Sequence, residues 1–125
     1  MKELKLAYSK ILPPKGYSAM TVFGYLIRRE IYRDKPISQR TWIHENIHHY
    51  QAYDFGIGFC GYFIFYILYG LEWLWKWPCI LFRYRPYHSL SFEHEAYDNQ
   101  CDQNYLSKRK RFAWVRYIFK FVKKK

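Results

Sequence analysis

Residues Phe55–Leu71, F-G-I-G-F-C-G-Y-F-I-F-Y-I-L-Y-G-L, carry no charge. An uncharged, mostly apolar run of that length has to leave water, into a protein core or into a bilayer. At seventeen residues it sits at the lower edge of a membrane-spanning length. Its glycines weaken a span further, and Tyr62, Tyr66 and Tyr69 fall at helical spacing, which describes a tyrosine-rich face rather than a lipid-facing cylinder. The run continues through Glu72 and W-L-W-K-W to Pro78, a residue that ends or kinks a helix. The pattern predicts a long, half-buried core helix over roughly residues 58–76, ahead of a helix lying on a membrane surface and of a true span.

A second constraint lies just upstream, in T-W-I-H-E-N-I-H-H-Y-Q, residues 41–51. His44, Glu45 and His48 spell H-E-x-x-H. Helical residues four apart share a face, so both imidazoles can meet one ion while Glu45 stands beside them. Two histidine nitrogens, a third protein ligand and an open position make a catalytic zinc site, with the glutamate as proton acceptor for water. Ser38 is the expected N-cap of this helix, which should run from about Gln39 to Phe55 and stop at Gly56 and Gly58.

The remaining elements frame these two. Pro13-Pro14-Lys15-Gly16 punctuates an N-terminal lead-in, and Tyr17–Ile31 is rich in β-branched and aromatic residues, predicting a bent strand or hairpin with Gly24 as a bulge or close-approach point. Downstream, Ser89 and Ser91 are candidate caps for a helix from Phe92 to about Ser107. Phe112, Val115, Ile118, Phe119 and Val122 predict a basic amphipathic C-terminal helix over residues 108–125.

Charge is concentrated in that tail. The chain of 125 residues has a net charge of +11, and residues 108–125 hold nine basic side chains and no acidic one. The rest is close to neutral and forms one expected domain. Cys60, Cys79 and Cys101 make no C-x-x-C pair and no disulfide framework, which fits a reducing, cytoplasmic setting. The N-terminus has no apolar stretch of the kind a secretory signal needs.

A zinc site of this type needs a third ligand. The continuation H-E-x-x-H-x-x-G-x-x-H is absent, because Gln51 and Asp54 stand where it wants Gly and His. The other source is a later helix, and F-E-H-E-A-Y-D-N at residues 92–99 offers Glu93, His94 and Glu95. Here the chain resembles the gluzincin branch of zinc metallopeptidases, in which a Glu followed by Ala completes the site. More closely it resembles small H-E-x-x-H proteins that join an I-L-P-x-K-G-[FY] segment to a later S-F-E-x-E-A-Y helix; residues 11–17 and Ser91–Tyr97 match, and the likeness covers most of residues 11–111. The resemblance implies a minimal zincin-like α+β fold, a small N-terminal β element with three to four helices. It implies Zn2+ held by His44, His48 and Glu95, with Glu45 as catalytic base. Glu93 and His94 are the rival ligands; an amide at Asn99, one turn after Glu95, favours Glu95, since it can orient a ligand imidazole. Tyr84, Tyr87 and His88 are the candidates for oxyanion stabilisation.

Ligands on both sides of Phe55–Leu71 also bear on the membrane. A single crossing would separate His44 and His48 from the later carboxylate, so the zinc site and a single span exclude each other. Three functions follow in order: a metallopeptidase acting on a peptide or protein substrate; a non-catalytic zinc-binding domain of the same fold; and a peripheral module meeting an anionic membrane surface through residues 108–125. No nucleic-acid-binding motif accompanies the basic residues.

Overall fold

The computed structural model describes residues 4–13, 17 and 19–123. The expected turn at Pro14–Gly16 and the last two lysines of the tail lie outside the described residues.

Tyr17–Ile31 contains the expected hairpin. Strand β2 (Met20–Val22) pairs antiparallel with β3 (Tyr25–Arg29) across a turn at Phe23 and Gly24, whose φ values are 44° and 88°. Two positive φ values in succession match the right-handed twist of paired strands, and Gly24 is the residue that adopts one freely. Strand β1 (Lys5–Ser9) joins in parallel on the other side of β3, giving the order β1-β3-β2. β1 lies in the stretch expected as lead-in. Its partner is twenty residues away in register, Leu6 against Leu26, and no local pattern announces a pairing of that kind.

Helix α1 (Gln39–Tyr53) starts where Ser38 predicts, with the Ser38 hydroxyl accepting from the Thr41 N–H at 3.1 Å. It ends two residues early, and Gly56 and Gly58 carry the chain round in the left-handed region. A 3₁₀ turn at Gly58–Cys60 leads into α2 (Gly61–Lys76), followed by a second 3₁₀ segment at Trp77–Phe82 that opens on Pro78. Gly61 lies against α1: a Cβ there would sit 2.0 Å from the Ala52 carbonyl oxygen, so the two helices approach this closely only on glycine.

α2 is half-buried, as its tyrosine spacing predicts. Tyr62 and Phe65 face a core with Ala52, Phe92 and Trp114. A second cluster, Ile43, Ile47 and Ala96, joins α1 to α4 (Ser91–Asn99), which is preceded by the short α3 (Pro86–Ser89).

The third long helix is shorter than predicted. α4 stops at Asn99, and α5 (Tyr105–Lys108) is a separate turn, because the Asp102 side chain accepts from the Asn104 N–H at 2.9 Å and bends the chain between them. Ser89 and Ser91 do not cap. The Ser91 N–H and hydroxyl both donate to Glu72 Oε1, at 2.9 and 2.8 Å, so a buried carboxylate from α2 satisfies the start of α4.

The tail departs most from expectation: among the described residues, 108–123 form no amphipathic α-helix. A 3₁₀ turn at Ala113–Tyr117 is followed by extended chain that pairs with Tyr84 through Lys123 and with Arg85 through a 2.7 Å bond to the Val122 carbonyl. The apolar residues of the tail are used in this path, Trp114 stacking on Phe92 at 4.5 Å, while Arg109 and Arg111 reach inward to Asp54. A three-stranded sheet with five helices makes the chain α+β. Among the described residues no single helix is long and apolar enough to cross a membrane; α1 with residues 58–82 passes only as a pair bent by 101°.

Candidate metal centre

His44 and His48 lie one turn apart on the buried face of α1, their rings edge to face with centroids 4.9 Å apart. The carboxylate that meets them belongs to Glu93 on α4. His44 Nε2 lies 3.1 Å from Glu93 Oε1, and His48 Nε2 lies 3.2 Å from Glu93 Oε2. Glu45 Oε2 stands 4.0 Å from His44 Nε2. Potential ligand atoms of His44, Glu45 and His48 lie within 4.8 Å of one another, and Glu93 is closer to both rings than Glu45 is.

Glu95, the ligand implied by the resemblance, does not face the histidines. Residues two apart on a helix point about 200° apart, so Glu93 and Glu95 cannot serve one site. The Glu95 side chain is fully buried in a network of its own. Arg109 donates to both its oxygens, at 2.6 and 3.0 Å, Tyr105 OH donates at 2.7 Å and Gln51 Nε2 at 3.0 Å. Arg109 is also bidentate to Asp54, at 2.9 and 2.8 Å. His94 points away from the paired histidines, its ring against the buried Tyr117 and its Nε2 3.7 Å from Asp98.

The far nitrogen of each histidine is held by an amide. His44 Nδ1 lies 2.8 Å from Gln100 Oε1, and His48 Nδ1 lies 2.8 Å from Gln51 Oε1. The Gln51 orientation is fixed, because its Nε2 donates to the Phe92 carbonyl and to Glu95. An imidazole whose Nδ1–H donates to an amide oxygen presents a lone pair at Nε2. At His48 that lone pair faces Glu93 Oε2 at 3.2 Å, so a proton or a metal ion must lie between them. Zinc ligands at ~2.1 Å in a tetrahedral array stand roughly 3.4 Å apart, close to the separations found here. His44, Glu45 and His48 thus form a group that could hold a metal ion, with Glu93 at 3.1 and 3.2 Å from the two rings.

Asn99, expected to orient a ligand, instead donates to the Glu95 carbonyl of its own helix at 2.8 Å. Gln51 and Gln100 take that role. Gln100 lies seven residues, two helical turns, after Glu93, so counting from Glu93 rather than from Glu95 is the signal that points to it.

Without a metal, protons supply the missing charge. Burial opposes a charged ring at His48, but the Glu93 carboxylate outweighs it and holds the ring up at about 9. Burial likewise pushes Glu93 up, yet the two histidines hold it far below the usual carboxylate range. At Glu45 burial wins over the pull of His48 and His44 and raises the carboxyl. The Thr21 hydroxyl on β2 donates to Glu45 Oε1 at 2.8 Å, and Tyr69 OH donates to Glu93 Oε2 at 2.8 Å.

The site is accessible. A cleft of about 330 Å³ has Glu45, His48 and Glu93 on its wall beside Met20, Phe65, Tyr66, Tyr69, Trp73 and Tyr87. A second, polar one of about 370 Å³ reaches Glu45 from the side of Arg40, Thr41 and His44. Of the oxyanion candidates, Tyr87 borders both, and burial raises its phenol so that it stays a donor. His88 stacks on Tyr97 at 4.7 Å, and Tyr84 packs on Phe121 beside the tail. Comparison with protein-family models, with curated proteins and with solved structures finds no match for this chain.

Proposed function

We propose that the protein is a zinc-dependent peptidase of gluzincin type, with His44, His48 and Glu93 holding the metal and Glu45 as general base. Neutral imidazoles with a carboxylate are a donor set suited to zinc. Bound there, zinc would supply Lewis acidity toward a water and a substrate carbonyl. The chain's own residues do the rest. Glu45, raised by burial and held at one oxygen by Thr21, keeps its other oxygen free to accept a proton and to return it to the leaving amine. Tyr87 donates toward the developing oxyanion. β2, an edge strand whose Met20 and Thr21 border the cleft, accepts an extended peptide by strand addition, and the aromatic cleft seats an apolar side chain of the substrate.

The observation that carries this reading is the convergence of His44 Nε2 and His48 Nε2 on the two oxygens of Glu93, beside a cleft. The cleft favours an enzyme over a non-catalytic zinc domain, whose metal would be closed off by four protein ligands. Glu45→Gln is the test. The variant should retain zinc and lose about 10²–10⁴-fold of its rate on a fluorogenic peptide library. Undiminished cleavage by zinc-loaded Glu45→Gln would refute the mechanism.

A further inference from the structure

We propose that the outer face of α2, with the 3₁₀ segment that follows it, is a docking surface for an anionic lipid bilayer. No exposed residue between Ile57 and Phe82 is charged. Phe63, Ile67, Leu71 and Leu74 form one stripe at helical spacing, each more than half exposed, and Leu81 and Phe82 extend it at 80% and 74% exposure. The only two charges in this stretch are turned inward. Glu72 and Lys76 pair at 3.0 Å, and Lys76 also donates to the Ser89 carbonyl. A water-facing helix normally shows the reverse arrangement, so this face is built for an apolar surround.

The border of the face says what that surround is. The tail runs along its far end: Trp75 lies 6.2 Å from Phe119 and 6.0 Å from Phe121, and Arg85 N–H bonds the Val122 carbonyl. This sets exposed Arg83, Lys120 and Lys123 beside the tryptophan-rich end, and the chain has no acidic residue after Asp102. Exposed apolar side chains, tryptophans at the margin and a basic rim are what a helix in the headgroup layer of an anionic membrane presents. A second copy of this chain is a poorer occupant, because pairing through this face would bring two basic rims together in a protein of net charge +11. α1 and α4, on either side of α2 in sequence, pack together through Ile43, Ile47 and Ala96, so a single crossing by α2 would separate that pair. The inner face of the same helix, with Phe65, Tyr66 and Tyr69, walls the cleft, which the membrane would therefore hold close to its surface.

Co-sedimentation of the full chain with vesicles tests this independently of any activity. The protein should bind phosphatidylcholine vesicles containing phosphatidylserine, and bind pure phosphatidylcholine far more weakly. Leu71→Glu/Leu74→Glu alters exposed positions and should leave the circular-dichroism melt intact while reducing binding at least about tenfold. Arg83→Ser/Lys120→Ser/Lys123→Ser should reduce it about a hundredfold on anionic vesicles. Absence of vesicle binding by the wild-type chain overturns the proposal, as does binding unchanged in folded Leu71→Glu/Leu74→Glu. A wild-type dimer in sedimentation that this double variant dissociates also overturns it, and assigns the face to a second copy.

Discussion

Glu93 and Glu95 stand two residues apart on α4, both buried, and the polar clusters around them are built on different terms. Around Glu95 the counter-charge is permanent: the Arg109 guanidinium spans Glu95 and Asp54, while Tyr105 and Gln51 also donate to Glu95. Around Glu93 it is not. Two imidazole nitrogens converge on its oxygens with Glu45 alongside, and no lysine or arginine donates to them among the described residues. A buried cluster held by a permanently charged side chain serves the fold, whereas one whose counter-charge has to be bound, as a proton or a metal ion, is a candidate site. Gln51 joins the two, donating to Glu95 and accepting from His48, so the Glu95 cluster orients a ring of the candidate site.

That contrast can be attacked from either side. The largest effect on stability is expected at Arg109. Its replacement by Ala leaves Asp54 and Glu95 buried without a counter-charge and should cost about 3–5 kcal/mol in urea unfolding. A loss below about 1 kcal/mol would mean that Arg109 does not hold the Glu95 cluster together. Next, Gln51→Leu and Gln100→Leu should each lower zinc affinity about 10–100-fold by titration calorimetry, because each frees a ligand ring to rotate and change tautomer. Unaltered affinity in both would detach the amides from the site.

A smaller, pH-dependent effect separates the clusters in metal-free protein. His48 is raised from 6.5 to about 9, so its stabilising pairing is fully present below pH 6.5 and is lost as pH climbs toward 9. Glu93 is lowered, so its share is present above its ordinary 4.5 and is lost only in stronger acid. Metal-free protein should therefore be most stable between these limits and weaken from pH 6.5 to 9, and Glu93→Gln should flatten that decline. A urea midpoint that rises over this range in the wild type would invert the assignment.

Much of this was legible in the residues. Ser38, the H-E-x-x-H spacing and the tyrosine periodicity are local signals, and the helices they predict are present. Which of Glu93 and Glu95 faces the histidines was not decidable locally, since both lie in F-E-H-E-A-Y and Glu95 is held elsewhere by Arg109, 14 residues away and folded inward. Reading residues 108–125 as one basic amphipathic helix hid that role: Arg109 is buried in an ion-pair network, and the tail's aromatics pack on α2 and α4 instead of forming their own helical face. Strand β1 was missed for the same reason, a partner distant in sequence.

Zinc per chain is the most direct measurement, made by elemental analysis on zinc-loaded, gel-filtered wild type, Glu93→Gln and Glu95→Gln. The wild type and Glu95→Gln should each carry one zinc and Glu93→Gln none. Full zinc in Glu93→Gln, or its loss from a folded Glu95→Gln, would contradict the account.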